Sequence, residues 1–191
     1  IGEQGLYKTT WFNFLLPPEL RCYFYTKTNS DRLNKDDLFS LTEFALICFE
    51  ELDGMRPAEL NQLKAMVTMP YVNERAAYGR NKERHPHIAS FCGTGNNVQF
   101  LTDPTGNRRW LPFEVSQIRD PHLHAIPYEL VYSQAYALWK SGFCHWFSQE
   151  EIRKLNMHNS RFEVPNLEED LIRTHFRKPF EGEAGIFVTA A

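Results

Sequence analysis

The stretch Gly2-Glu3-Gln4-Gly5-Leu6-Tyr7-Lys8-Thr9 combines residue types that together can hold a phosphate. A loop reading G-x-x-x-x-G-K-[ST] wraps backbone N–H groups around an anion, sets its lysine on the β and γ phosphates, and places its hydroxyl on Mg2+. Gly2 opens such a pattern here and Lys8-Thr9 close it, but Tyr7 stands where the second glycine belongs. Gly2, Gly5, Lys8 and Thr9 are the candidate nucleotide contacts, with Thr9 also a metal ligand. A turn leading into an ordinary helix would read the same way.

Further residues extend this chemistry. The apolar run "FALICFEE" (44–51) ends in Glu50 and Glu51, with Asp53 close behind. Acids at the end of a buried strand suit a division of labour in which Glu50 holds the ion and Glu51 polarises the attacking water. A surface strand end is the plain alternative. A second apolar run, "HIASFCGTGNN" (87–97), ends in Asn96, whose amide can position that water or touch the γ-phosphate; Gly-Asn-Asn is also good turn chemistry. In "TGNRRW", Arg108 or Arg109 can reach the phosphates of a neighbouring subunit, where an added arginine stabilises transferring charge, or can form a surface ion pair. The segment "NERAAYGRNKERHPH" (73–87) carries Arg75, Arg80 and Lys82 beside Tyr78. It reads as a hairpin contacting nucleic acid by charge, with Tyr78 free to stack, or as a solvated hairpin. His85 and His87, separated by Pro86, give no metal geometry.

These residues need elements to hold them. The periodicity predicts a helix over 8–16 stopped by Pro17-Pro18, a polar loop over 26–37, and a buried strand within 44–53. A helix over 56–67 follows, with Pro57 in its first turn, then buried strands at 87–97 and 108–115, the last marked as an edge by Pro112. Helices follow at 127–142, 147–155 and 166–176. The first places Val131, Ala135, Leu138 and Trp139 together, and the second opens with Ser148 and Glu151 at capping-box spacing. The order is α/β first, then α.

Composition fits a folded domain. The 191 residues are 42% hydrophobic, 14% aromatic and 24% charged, with a net charge of −3, so a nucleic-acid partner needs a local basic patch. Cys22, Cys48, Cys92 and Cys144 make no C-x-x-C pair and suit a reducing compartment. No apolar run is long enough to span a membrane, and a soluble, cytoplasmic protein is expected. A phosphate loop hangs from the carboxyl end of a strand, and none precedes Gly2, so the chain reads as a fragment of a longer protein.

The order of parts resembles a known family. "GEQGLYKTTWF", "FALICFEELDGM", "LKAMVT", "ERAAYGR", "IASFCGTGNN" and above all "FLTDPTGNRRWLPFEV" are similar to the virulence-associated E family, over about residues 1–116. The resemblance implies an α/β fold of the P-loop NTPase type, AAA+ or superfamily 3 helicase-like, as an ATPase core over 1–116 and a truncated helical region over 117–191. It implies ATP and Mg2+ as cofactors and DNA, in single-stranded form, as partner. It further implies a homo-oligomeric ring, an upstream primase-like module in the same polypeptide, and work in phage or mobile-element replication in the bacterial cytoplasm. By position, Lys8 and Thr9 match the phosphate and magnesium residues, Glu50 and Glu51 the acidic pair, Asn96 the sensor, and Arg108 or Arg109 the finger. The basic patch around Arg80 and Lys82 lies where such helicases carry a DNA-contacting hairpin. Tyr7 for glycine and Glu50 for aspartate depart from the pattern. They leave two functions open, an ATPase motor and a hydrolysis-deficient scaffold that binds DNA or a replication partner. A small-molecule kinase shares the loop but leaves the basic hairpin and paired arginines unexplained.

Overall fold

The computed structural model describes residues 1–28, 34–75, 79–102, 107–177, 179–180 and 182–185. The first helix, α1 (Lys8–Asn13), is shorter than its apolar run, which unwinds before Pro17 into a 3-10 turn at Pro18–Tyr23. Strand β1 (Phe24–Lys27) follows. Part of the stretch expected as polar loop is helical, forming α2 (Lys35–Glu43). Its start is fixed by Asn34, whose side chain accepts the N–H of Asp36 at 2.7 Å, while Asp37 accepts the N–H of Asn34 at 2.6 Å. This reciprocal box satisfies donors that a helix start leaves open.

Strand β2 (Leu46–Phe49) carries the expected apolar run, and α3 (Pro57–Val67) starts at its proline and buries Leu60, Leu63 and Met66. Strands β3 (Tyr71–Glu74) and β4 (Glu83–Pro86) pair antiparallel, and β5 (Ser90–Gly93) joins β2. The main sheet is parallel, in the order β1-β2-β5, with Lys27 opposite Phe49 and Phe49 opposite Gly93. Ile47, Cys48 and Phe49 are all buried, as a central parallel strand covered on both faces requires. Leu41, Leu63, Met66, Val72, Phe100 and Phe162 pack with them into one core. Lys27 and Asp37, both buried, meet at 2.8 Å and tie β1 to α2.

Residues 113–115 form no strand, and the expectation of a strand over 108–115 is corrected. Asn107–Arg109 makes a 3-10 turn, and Pro112 lacks the N–H a ladder needs. What the segment does supply is a rail for the chain start. Ile1 donates to the carbonyl of Phe113 at 2.7 Å and accepts from Val115 at 2.7 Å, while Gly2 donates to Gly95 at 3.2 Å. These bonds hang the loop after Ile1 at the carboxyl ends of β2 and β5.

Beyond residue 117 the elements are helices α4 (Tyr128–Lys140), α5 (Gln149–Asn159) and α6 (Leu167–His175). The capping box of α5 forms as expected, with Glu151 accepting from Ser148 N–H at 2.7 Å. In α4, by contrast, Val131, Ala135, Leu138 and Trp139 are all exposed. Periodicity identifies an apolar face, but nothing among the described residues covers it. Two tyrosines hold α4 instead, Tyr128 donating to Phe14 at 2.6 Å and Tyr132 to Leu15 at 2.9 Å.

Candidate functional site

The loop between Ile1 and α1 has the backbone its sequence asks for, with one surprise. A Cβ on Gly2 would sit 2.3 Å from the Val115 carbonyl oxygen, and Gly5 has φ 87, so both positions need glycine. Tyr7 also lies in the left-handed region, at φ 57 and ψ 22. The expected glycine is therefore replaced by a residue that holds a backbone conformation favouring glycine, and Tyr7 stands 44% exposed. A non-glycine residue there costs about 1–2 kcal/mol, partly offset by glycine's greater freedom when unfolded. Tyr7→Gly is expected to stabilise the protein by about 0.5–1 kcal/mol, read as a higher urea midpoint at unchanged slope.

Lys8 turns back into the loop. Its Nζ donates to the carbonyls of Gly2 and of Glu3, the latter at 2.8 Å, and to Asn96 Oδ1 at 2.8 Å. Burial lowers its pKa, and the nearby Asp53 carboxylate opposes that shift. Thr9 donates through Oγ1 to Glu50 Oε1 at 2.7 Å. Glu50 is held in turn by its own N–H, donated to Lys27 at 2.9 Å across the β1–β2 ladder. Four residues from three separate stretches, Lys8, Thr9, Glu50 and Asn96, thus converge at one end of the parallel sheet.

The other candidate residues are placed differently. Glu51 takes φ 54 and is exposed. Arg108 and Arg109 are both exposed on their 3-10 turn. Arg109 shares with Lys8 the lining of a cavity of about 960 Å3, otherwise walled largely by apolar groups such as Trp11, Phe91 and Trp110. Arg75, Arg80 and Lys82 are exposed on or beside the β3–β4 hairpin, and Arg84 of that hairpin stacks on Tyr71 at 3.7 Å. Tyr78 lies outside the described residues. Cys92 sits opposite Cys48 in the ladder. Its Sγ donates to the Ile47 carbonyl at 3.7 Å, and the neighbouring Cys48 thiol together with burial raises its pKa.

Two features have little or no signature in the sequence. Asp53, which stands there only as a third acid, accepts the N–H of Asn97 at 2.9 Å. Asn159, fully buried, donates to the carbonyls of Asn107 at 2.7 Å and Trp110 at 3.0 Å, clamping the turn that carries the two arginines. The acid run offers a signal for Asp53; nothing local marks Asn159.

Comparison with known proteins places this geometry in context. The sequence model of the family described as "Virulence-associated protein E-like domain" matches residues 1–164. No curated protein matches the chain. Among solved structures, the apo structure of the NrS-1 C terminal region (305-718) is similar at a TM-score of 0.47 and 14% identity, covering 84% of this chain. The chain spans only 33% of that structure.

Proposed function

The chain belongs to the virulence-associated protein E-like domain family, and from that footing we propose that it is an ATP-binding P-loop NTPase-like domain acting on DNA in the replication of a phage or mobile element. The carrying observation is the paired contact of Thr9 with Glu50 and of Lys8 with Asn96, at the carboxyl end of a parallel sheet. Ligand crevices of open parallel sheets lie at that end. It is also where a nucleotide's phosphates would meet a lysine, a hydroxyl and an acid together.

The residues fit the groups this reading requires. Mg2+ binds hard oxygens and keeps several waters, so it needs only one or two protein ligands beside the substrate's phosphates. The Thr9 hydroxyl and Glu50 carboxylate, 2.7 Å apart, are such a pair. When bound, the ion would neutralise charge on the β and γ oxygens. Lys8 would exchange the loop carbonyls for phosphate oxygens, and Asn96 would steady its ammonium. Glu51 is the proposed group for orienting the attacking water, and Arg108 or Arg109 the group offered to a neighbouring subunit in a ring. A primase-like module upstream in a longer polypeptide completes this reading.

The test is Mg2+-dependent ATP binding by calorimetry, with phosphate release followed on the same sample with and without single-stranded DNA. DNA-stimulated release is the expected result, and no binding would overturn the assignment. Binding without release would select the second reading, a nucleotide-binding scaffold, which the longer Glu50 side chain favours.

The β3–β4 hairpin is the proposed DNA contact, because Arg75, Arg80 and Lys82 are exposed there. Removing one cation from the backbone of a single strand flattens the plot of log affinity against log salt by about 0.7. Arg80→Ala with Lys82→Ala is therefore expected to reduce that slope by about 1.4, measured by fluorescence anisotropy across a salt series. An unchanged slope would remove the hairpin from the interface.

A further inference from the structure

Behind Asn96 lies a carboxylate that has no part in phosphate or metal binding as described so far. Asp53 sits in a 3-10 turn, Leu52–Gly54, just past the end of β2. Its Oδ2 accepts the Asn97 N–H at 2.9 Å. Its Oδ1 is buried and has no hydrogen-bond partner. A Cβ on Gly95 would lie 2.7 Å from that oxygen, so the approach depends on glycine at 95. The same Gly95 accepts the Gly2 N–H through its carbonyl, and Asn96, next along, accepts from Lys8. Asp53 therefore meets the Gly95–Asn97 turn at both of its ends. A buried carboxylate oxygen left without a donor costs stability. Such a group calls for a reason beyond packing.

We propose that Asp53 is a positioning residue of the phosphate site, holding the Gly95–Asn97 turn so that the Asn96 amide oxygen meets the Lys8 ammonium. The inference rests on the nucleotide reading for its effect on binding, though the positioning itself can be tested without nucleotide. The bond to Asn97 N–H fixes the turn mechanically, one residue from the amide that matters. This action does not need Asp53 to touch a phosphate.

The test is a double-mutant cycle on the 191-residue chain with Asp53→Ala, Asn96→Ala and the pair, reading the Kd for Mg2+-ATP by calorimetry. If Asp53 acts through Asn96, each single variant weakens binding about tenfold, the scale of one hydrogen bond to a charged group, and the pair loses no more than either alone. A merely structural role would give independent losses, about 100-fold in the pair; that outcome, or an unchanged Asp53→Ala, overturns the proposal. A second readout is independent of nucleotide. In the free protein, Asp53→Ala shifts the Asn97 backbone amide proton upfield and displaces the Asn96 side-chain amide resonances. The isosteric Asp53→Asn, which keeps an acceptor, restores most of the Asn96 position. Unmoved Asn96 resonances would overturn the proposal whatever the affinity. If the unaltered chain fails to bind ATP, the nucleotide reading falls and these resonances alone decide the positioning role. If Asp53→Ala does not fold, the unaltered chain decides: slowed hydrogen exchange of the Asn97 amide proton supports the Asp53 bond, and exchange at the unprotected rate overturns the proposal.

Discussion

Lys8→Ala is expected to weaken Mg2+-ATP binding by at least about 100-fold, or about 2.7 kcal/mol. The ammonium already has a complete set of acceptors in the loop: the carbonyls of Gly2 and Glu3 and the Asn96 amide oxygen. On the nucleotide reading proposed above, a phosphate would displace some of these, because its oxygens carry full charge where the carbonyls carry partial charge. Removing the cation leaves that charge facing only backbone dipoles. Losing one partner of a desolvated, hydrogen-bonded charge pair costs about 2–5 kcal/mol, which brackets the expected effect. Lys8→Arg should rescue little, since the guanidinium fork is wider and planar and the pocket formed by Gly2, Glu3 and Asn96 fits a compact ammonium. Calorimetry checks both variants, with far-ultraviolet circular dichroism confirming the fold. Unchanged affinity in Lys8→Ala would take the lysine out of the site altogether.

Two of the residues that meet at the end of the sheet are legible in the sequence because each ends an apolar run. Glu50 follows the buried stretch of β2 and Asn96 follows that of β5, and a parallel sheet brings such ends to one side. Tyr7 is legible as a departure but not as a solution. Sequence shows a missing glycine; only the backbone shows that the tyrosine there holds a left-handed φ that favours glycine. Strand β1 and helix α2 are hidden by the polar stretch between them, which masks a four-residue strand on one side and an Asn34-capped helix on the other. The exposed face of α4 shows the opposite failure, a clear periodic signal whose partner no sequence pattern identifies. The division at 116/117 is likewise crossed by contacts that pattern does not reveal, from Tyr128 and Tyr132 to the end of α1 and from Asn159 to the arginine turn.

That last contact carries the second large effect, on stability more than on binding. Asn159 is 0% exposed at the end of α5, and its amide donates to two carbonyls of the 107–110 turn. Neighbouring bonds depend on the same register. Phe100 and Leu101 both donate to the Phe162 carbonyl at 2.9 Å, and Asn107 donates to Glu163 at 2.7 Å. Asn159→Ala removes two hydrogen bonds, strips the Trp110 carbonyl of its side-chain donor and leaves a small void. Together these cost about 2–4 kcal/mol, which for a chain of this size lowers Tm by about 6–12 °C. Asn159→Asp should be at least as damaging, because it sets a second acceptor against two carbonyl oxygens. The functional consequence differs in kind from that of Lys8. With the clamp gone, Arg108 and Arg109 lose the fixed turn that aims them, while Lys8, Thr9 and Glu50 keep their partners. Mg2+-ATP affinity should then hold within about threefold, under 1 kcal/mol, while DNA-stimulated phosphate release falls. Differential scanning calorimetry and the phosphate-release assay, the latter run below the lowered Tm, separate the two effects. An unchanged Tm would mean that water replaces the Asn159 amide without loss, and that α5 does not hold the arginine turn.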